Sequence, residues 1–291
     1  MLYSYLYAPF CSGRYFRTHA GWTASTETLC LLRQQPHAQE MERWSGKVAI
    51  VTGASSGIGA AVTRALVERG LKVVGLARRV HRLQELSAEL CRGPGKLYPL
   101  QCDITNEEDI LCAFSWLRSE LGGVDVLVNN AGVLNEIQFH DFKTEDWLQM
   151  INVNVVGLTL CTREAVSCMK SLGIENGHII HINSFLGHTM SNLPGFNMYA
   201  ATKHAVTTLT ESLRRELAHL KSGIKVSSIS PGMVKTELLS SGDNRTLGPE
   251  VYNAVTCLEA SDVADAVVYV LDTPPHIQVH ELTILPLGQP I

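Results

Sequence analysis

Short apolar runs rich in β-branched residues alternate along the chain with longer segments whose apolar positions recur every three or four residues. The short runs predict buried strands, and the longer segments predict amphipathic helices. We expect strands at 48–51, 72–76, 97–102, 124–128, 178–183, 224–229 and 281–285. This alternation predicts an α/β fold, a doubly wound parallel sheet of about seven strands with helices on both faces.

Two of the predicted helices are long, at about 144–172 and 198–221. A shorter one is expected after Thr105, which together with Glu108 resembles a capping box. No internal linker is evident, so we predict one folded domain over residues 41–291.

Residues 1–40 show no sustained period and contain no acidic residue before Glu27. This composition favours a disordered extension, or a translation start that lies upstream of the native start at Met41. Targeting to an organelle is the alternative.

The first predicted strand runs directly into a glycine-rich turn and then a helix. Gly53 permits a sharp turn, Gly57 lets a pyrophosphate approach the backbone, and Gly59 lets the helix pack closely on the strand. Free backbone N–H groups and the positive end of the helix dipole would seat a phosphate there. We therefore expect a Rossmann-type dinucleotide site, although three spaced glycines also occur in ordinary strand–helix turns.

Two arginines follow the second strand. A site for NAD usually places an acid there for the ribose 2′-hydroxyl, but this chain has Ala77 followed by Arg78 and Arg79. Two guanidiniums suit the 2′-phosphate of NADP(H). The alternative is a basic helix start that meets only solvent.

The carboxyl ends of parallel strands lie along one edge of a sheet, where ligands of such folds bind. Polar or turn residues follow the predicted strands, and we expect them to converge at that edge: 52–59, Arg78, Asp103, Asn129, Ser184 and Pro231.

Tyr199 and Lys203 are four residues apart on a predicted helix, so their side chains share a face. A nearby ammonium favours the phenolate, which would let Tyr199 act as an acid–base group. Ser184 ends the preceding strand and could donate to the same substrate oxygen. The alternative interpretation is that Tyr199 and Lys203 are a solvated surface pair and that Ser184 is only a turn residue at the end of a strand.

Asn154 lies within an apolar helical stretch, where an amide must find partners. It could hold a water that links Lys203 to solvent, or it could bend the helix locally. Asn152 is an equal candidate on spacing alone.

Composition narrows the class of partner. The net charge of −4 gives no reason to expect nucleic acid or an anionic membrane, and no apolar run is long enough to span a bilayer. The eight cysteines form no ligand motif, so we expect no metal and a reducing, cytoplasmic location. Four of them are expected to be buried: Cys102, Cys112, Cys161 and Cys168.

Taken together, these motifs resemble the short-chain dehydrogenase/reductase family from Met41 onward. The resemblance implies a catalytic tetrad of Asn154, Ser184, Tyr199 and Lys203, and so favours Asn154 over Asn152. It implies that Lys203 also binds the nicotinamide ribose and that Asp103 lies at the adenine. The implied cofactor-binding set is Gly53, Ser55, Ser56, Gly57, Ile58, Gly59, Arg78, Arg79, Asp103, Ile104, Asn130, Ala131, Gly132, Tyr199, Lys203, Pro231, Gly232, Val234 and Thr236.

Several further stretches resemble members of this family that act on apolar molecules, among them 70–75, 106–111 and 161–165. This implies NADP-dependent interconversion of an alcohol and a carbonyl on a keto- or hydroxysteroid or a terpenoid alcohol such as farnesol. A small carbonyl or dicarbonyl reductase and a nonenzymatic NADP(H)-binding protein remain alternatives. We also expect a homo-oligomer, a dimer or tetramer. The candidate substrate wall is Val133, Phe185, Leu186, Leu193, Phe196, Leu238 and Leu239.

Overall fold

The computed structural model describes residues 16–18, 21–23, 42–136, 138–141, 143–191, 194–240, 252 and 255–289. Strands β1 (Phe16–Thr18) and β2 (Gly21–Thr23) form a small antiparallel sheet. The remaining positions of residues 1–41 lie outside the described residues, so the interpretation of this extension stays a prediction.

Seven parallel strands form the main sheet, in the order β5-β4-β3-β6-β7-β8-β9. The order reverses direction at β3, so a switch point lies between β3 and β6. The strands are β3 (Val48–Thr52), β4 (Lys72–Ala77), β5 (Lys96–Gln101), β6 (Val126–Asn129), β7 (His178–Ile182), β8 (Lys225–Pro231) and β9 (Glu281–Ile284).

Helices cover both faces of this sheet, which confirms the predicted fold class. The helices are α1 (Gly57–Glu68), α2 (Val80–Glu89), α3 (Glu107–Leu121), α4 (Thr144–Ile151), α5 (Leu158–Ser171), α6 (Asn197–His219) and α7 (Ala260–Asp272). Alternate residues of β3 enter opposite cores, since Val51 packs with α1 and α7 whereas Ile50 packs with α3 and α5.

The long helix predicted for 144–172 is interrupted. A π-helical segment at Asn152–Gly157 separates α4 from α5. The hydrophobic pattern does not register this change, because a π turn inserted between two α-helices leaves the apolar spacing on either side intact.

Two smaller predictions were wrong. Asn106, not Thr105, is the N-cap of α3, because its side chain accepts from the Glu108 amide at 3.0 Å while the Thr105 hydroxyl donates to Asp103 at 2.8 Å. Cys112 is exposed on α3 and is not a core residue.

A short 3₁₀ turn, Glu42–Trp44, fastens the start of the domain to the end of α7. The Trp44 indole donates to the Leu271 carbonyl at 2.9 Å, and the Arg43 guanidinium donates to the Leu271 and Thr273 carbonyls. Lys225 donates to the same Thr273 carbonyl at 3.0 Å. These cations satisfy carbonyls at a helix C-terminus, where positive charge is favoured.

Among the described helices, none combines the length and the hydropathy that crossing a bilayer would require. The expectation of a homo-oligomer stays a prediction.

Candidate active site

A cleft of about 480 Å³ opens at the carboxyl ends of the strands, next to the switch point. All but one of the residues predicted to bind a cofactor line it. They are Gly53, Ser55, Ser56, Gly57, Ile58, Arg78, Arg79, Asp103, Ile104, Asn130, Ala131, Gly132, Tyr199, Lys203, Pro231, Gly232, Val234 and Thr236.

Gly59 is the exception, because it lies behind the cleft wall. A Cβ at this position would stand 2.3 Å from the Gly53 carbonyl oxygen and 2.5 Å from the Asn130 amide nitrogen. Gly59 therefore packs α1 against the turn, and its contact is with protein, not with the cleft.

The turn requires glycine at two positions. Gly53 and Gly57 have φ values of +66° and +51°, a left-handed backbone that side chains disfavour. Asn130 holds the turn from the neighbouring strand end, since its amide donates to the Thr52 carbonyl at 2.9 Å and the Gly53 carbonyl at 3.2 Å. Asn130 thus shapes the phosphate seat from the side.

Asn129, expected at the same edge, turns away from it. Its amide donates to the Thr162 hydroxyl of α5 at 2.8 Å, and the side chain is buried. Asp103 does reach the cleft, where its carboxylate accepts from the Thr105 amide at 3.0 Å and so stabilises the turn after β5.

At the far end of the cleft the two arginines differ in their contacts. Arg79 donates to Ser56 Oγ at 3.0 Å and to Glu237 Oε2 at 3.1 Å, and Arg82 also binds Glu237. Arg78 is exposed, and among the described residues it has no side-chain hydrogen bond or ion pair. Neither Glu237 nor Arg82 was predicted from the sequence to belong to this site.

Ser184, Tyr199 and Lys203 come together at the other end. All three are buried and line the cleft, and Ser184 lies close enough to Tyr199 to lower the pKa of its phenol. Ser184 also accepts from the Leu186 amide at 3.1 Å, as the cap of the 3₁₀ turn Phe185–Gly187. Lys203 Nζ donates to the Ile182 carbonyl at 3.0 Å and lies 5.7 Å from the centroid of the Tyr199 ring.

Burial dominates the titration of this cluster. Burial raises the pKa of Tyr199 to about 12, and the interaction with the Ser184 side chain acts in the opposite direction. Burial also lowers the pKa of Lys203 to about 8. The net direction for Tyr199 is thus opposite to the expected lowering, because withdrawal of the phenol from water outweighs the Ser184 contact.

Asn154 is buried next to this cluster but does not line the cleft. Its Oδ1 accepts from the Val133 amide at 2.9 Å, and its Nδ2 donates to the Val133 carbonyl at 2.9 Å and to the Thr202 hydroxyl at 3.1 Å. Asn152, by contrast, is exposed. The structure therefore gives Asn154 the internal contacts and leaves Asn152 outside.

Apolar side chains form the wall beside Ser184 and Tyr199. Five of the predicted residues line it: Val133, Phe185, Leu186, Phe196 and Leu238. Leu193 and the side chain of Leu239 lie outside the described residues. The lining residues that were not predicted include Leu134, Met233 and Tyr252, because none of them stands in a motif of its own.

Tyr252 is brought to the wall by a contact with the segment after β8. Its hydroxyl donates to the Thr236 carbonyl at 2.8 Å. A Cβ on Gly57 would come within 3.1 Å of the Thr236 methyl, so this segment also borders the glycine turn. The cleft thus lies between the glycine turn and the segment after β8, an arrangement that suits a dinucleotide.

The fold and this cleft define a dinucleotide-binding oxidoreductase of the doubly wound class. Residues 47–246 match the family model described as short chain dehydrogenase. The chain belongs to this family.

Two relatives are similar over almost their whole length. Dehydrogenase/reductase SDR family member 11 of Mus musculus is 48% identical over 86% of this chain and 97% of its own. Farnesol dehydrogenase of Aedes aegypti is 48% identical over 86% of this chain and 99% of its own.

Among solved structures, the closed form of serine dehydrogenase complexed with NADP+ matches with a TM-score of 0.76 and 35% identity, covering 84% of this chain and 96% of its own. A short-chain type dehydrogenase/reductase from Mycobacterium marinum matches with a TM-score of 0.76 and 29% identity, covering 84% and 96%.

Proposed function

We propose that this chain is an NADP-dependent alcohol dehydrogenase or carbonyl reductase that acts on an apolar substrate. The observation that carries the proposal is the buried pair of hydroxyls, Ser184 and Tyr199, facing a cleft with an apolar wall at that end and two arginines at the other. A protein that only binds a dinucleotide has no need of such a pair.

NADP(H), when bound, supplies or accepts the hydride. The glycine turn would hold the pyrophosphate, Arg78 and Arg79 the 2′-phosphate, and Lys203 the nicotinamide ribose. Arg78 supports the preference for NADP(H), because it is a guanidinium at the end of β4 with no carboxylate partner among the described residues.

At the reacting oxygen, Tyr199 takes the proton of an alcohol or gives a proton to a developing alkoxide. Ser184 donates to the same oxygen and thereby stabilises its charge. Lys203 sits behind Tyr199 and supplies positive charge that favours the phenolate. Asn154 acts by position, since it fixes the Val133 peptide and the Thr202 hydroxyl beside this group.

The wall supports an apolar substrate. Phe185, Leu186, Phe196 and Met233 offer aromatic and aliphatic surface, with few polar groups besides the two hydroxyls. Farnesol and steroid alcohols or ketones fit this chemistry. Small dicarbonyls are the second candidate, favoured by the same hydroxyl pair but using less of the apolar wall.

The decisive test combines Tyr199→Phe with a substrate panel. Wild-type protein is assayed with NADPH and NADH against a ketosteroid, farnesal and a small dicarbonyl, and in reverse with the alcohols. Tyr199→Phe should lose at least about a hundredfold in turnover while the dissociation constant for NADPH, measured by fluorescence, stays within about twofold.

Tyr269→Phe is the matched control, because it removes the same hydroxyl from an exposed position on α7. Its turnover should equal that of the wild type. Substantial residual turnover in Tyr199→Phe would exclude the proposed role, and a wild type inactive on the whole panel would favour a nonenzymatic binding protein.

A further inference from the structure

The carboxylate of Glu237 lies at the end of the cleft that holds Arg78 and Arg79, and it connects α2 with the segment after β8. Glu237 begins the 3₁₀ turn Glu237–Ser240, directly after Thr236. Its oxygens accept from Arg82 Nη1 at 2.8 and 2.9 Å, and Oε2 also accepts from Arg79 Nη1 at 3.1 Å. The segment after β8, which borders the substrate wall, is thereby fastened to α2.

This contact lies on the group that the proposed function assigns to the 2′-phosphate. Arg79 lines the cleft and reaches both Glu237 and Ser56 of the glycine turn. Hydrogen bonds from Arg82, and then from Arg79, hold the pKa of the Glu237 carboxyl below its usual range. Glu237 is therefore charged at neutral pH, where it repels a second anion at the same guanidinium.

We propose that Glu237 is a specificity-determining residue, which competes with the 2′-phosphate of NADP(H) for Arg79 and is released from Arg79 when that phosphate binds. The proposal rests on the proposed function, because it takes the NADP(H) orientation from it. A cofactor with a free 2′-hydroxyl does not compete with Glu237 for Arg79, so the Glu237–Arg79 pair stays intact.

Two features limit the size of the effect. The side chains of Arg79 and Glu237 are 45% and 50% exposed, so solvent screens their attraction. Arg79 also keeps further N–H donors, since each terminal nitrogen uses only one hydrogen bond in the contacts described. The competition is therefore electrostatic, and we expect it to change affinity several-fold, with a strong dependence on salt.

The test uses adenosine 2′,5′-bisphosphate and adenosine 5′-monophosphate, which differ only in the 2′-phosphate. Calorimetry of the full chain measures both dissociation constants for the wild type and for Glu237→Gln, at low and high salt. Glu237→Gln should bind the bisphosphate about five- to tenfold more tightly at low salt and the monophosphate within about twofold of the wild type.

Glu89→Gln is the matched control, because it removes one carboxylate that pairs with Arg64, outside the residues lining the cleft. It should leave both constants unchanged, which separates a local effect from the change in net charge. A second readout follows the release itself: in the wild type, the bisphosphate should raise amide hydrogen exchange across residues 237–240, and the monophosphate should not.

The outcomes distinguish the two proposals. If the wild type binds the bisphosphate more tightly than the monophosphate, but Glu237→Gln does not increase that difference, the proposed competition is wrong. The assignment of NADP(H) as the cofactor then stands. If the wild type shows no preference and Glu237→Gln gains one, the competition holds and the NADP assignment is wrong. Equal binding of both nucleotides by both proteins overturns both.

Discussion

Lys203 Nζ lies 5.7 Å from the centroid of the Tyr199 ring, in a site where both side chains are buried. One hydrogen bond to the Ile182 carbonyl, at 3.0 Å, holds the ammonium there. Burial shifts the pKa values of the two groups in opposite directions, so each favours its neutral form more than it does in water.

The first prediction follows from Lys203. Because burial lowers its pKa from 10.5 to about 8 in the folded protein, the unfolded chain binds more protons between these values. The free energy of unfolding should therefore receive a contribution from Lys203 that rises from pH 8 to pH 10, by at most about 1.4 kcal/mol per pH unit. Lys203→Met should flatten this rise in urea unfolding curves.

The window ends near pH 10 because Tyr199 then acts in the other direction. Its pKa is raised to about 12, so the folded state keeps a proton that the unfolded state loses, and stability falls. Equal slopes for wild type and Lys203→Met between pH 8 and pH 10 would contradict the burial effect.

The second prediction concerns Asn154. Asn154→Ala leaves the Val133 amide and carbonyl without their partner, which should reduce the free energy of unfolding by about 1–3 kcal/mol. The amide also fixes Thr202 next to Lys203, so turnover should fall too. Chemical unfolding and a steady-state assay on the same samples measure both changes.

Asn152→Ala is the control for this experiment, because Asn152 is exposed two residues away on the same π-helical segment. It should change stability by less than about 0.5 kcal/mol. A loss equal to that of Asn154→Ala would show that the segment is sensitive to any substitution.

The third prediction separates the glycines of the turn. Gly59→Ala would place a Cβ 2.3 Å from the Gly53 carbonyl oxygen, so α1 or the turn must shift. We expect a loss of about 1–3 kcal/mol in stability and at least tenfold weaker NADPH binding, measured by thermal unfolding with and without the nucleotide.

Gly132→Ala serves as the stability control. Its Cβ would meet Asn154 Oδ1 at 3.5 Å, an ordinary contact, so the free energy of unfolding without nucleotide should change little. If both variants lose the same stability, close packing at Gly59 is not the cause.

The fourth prediction concerns His181, which is buried between Thr210 and Thr162. Burial lowers its pKa to about 4, and the positive charge of Lys203 adds to this shift. Below pH 6.5, His181 binds a proton in the unfolded chain but stays neutral in the native state until the pH falls to about 4. Stability should therefore fall between pH 6.5 and pH 4 by up to about 1.4 kcal/mol per pH unit from this residue.

His181→Asn should reduce that loss when urea midpoints at pH 7 and pH 5 are compared. His204→Asn is the matched control, because His204 is exposed on α6. A shallower acid slope in His204→Asn, with none in His181→Asn, would reverse the assignment.

The sheet and the cleft edge could be predicted from the sequence because both depend on local signals. A run such as Val48–Val51 encodes a buried strand, and the parallel arrangement then places whatever follows each strand at one edge. Gly53, Arg78, Ser184 and Pro231 all line the cleft at this edge, as this reasoning predicted.

Contacts between distant parts of the chain could not be predicted in the same way. Glu237 binds Arg79 across 158 positions, and neither residue lies in a pattern that names the other. The π-helical segment escaped notice because its apolar positions still fit a helix. Asn129 was misplaced because a polar residue after a strand can turn toward either side of the sheet.

The contact between the 3₁₀ turn Glu42–Trp44 and the end of α7 has a consequence for how the chain folds. The Trp44 indole finds its acceptor on Leu271, 227 positions later. Strand β9, which completes the sheet, comes later still. During synthesis, therefore, β3 and its glycine turn emerge early, but the Glu42–Trp44 turn just before them cannot make this contact until Leu271 has left the ribosome. Closure of the domain is thus a late event that joins its two ends.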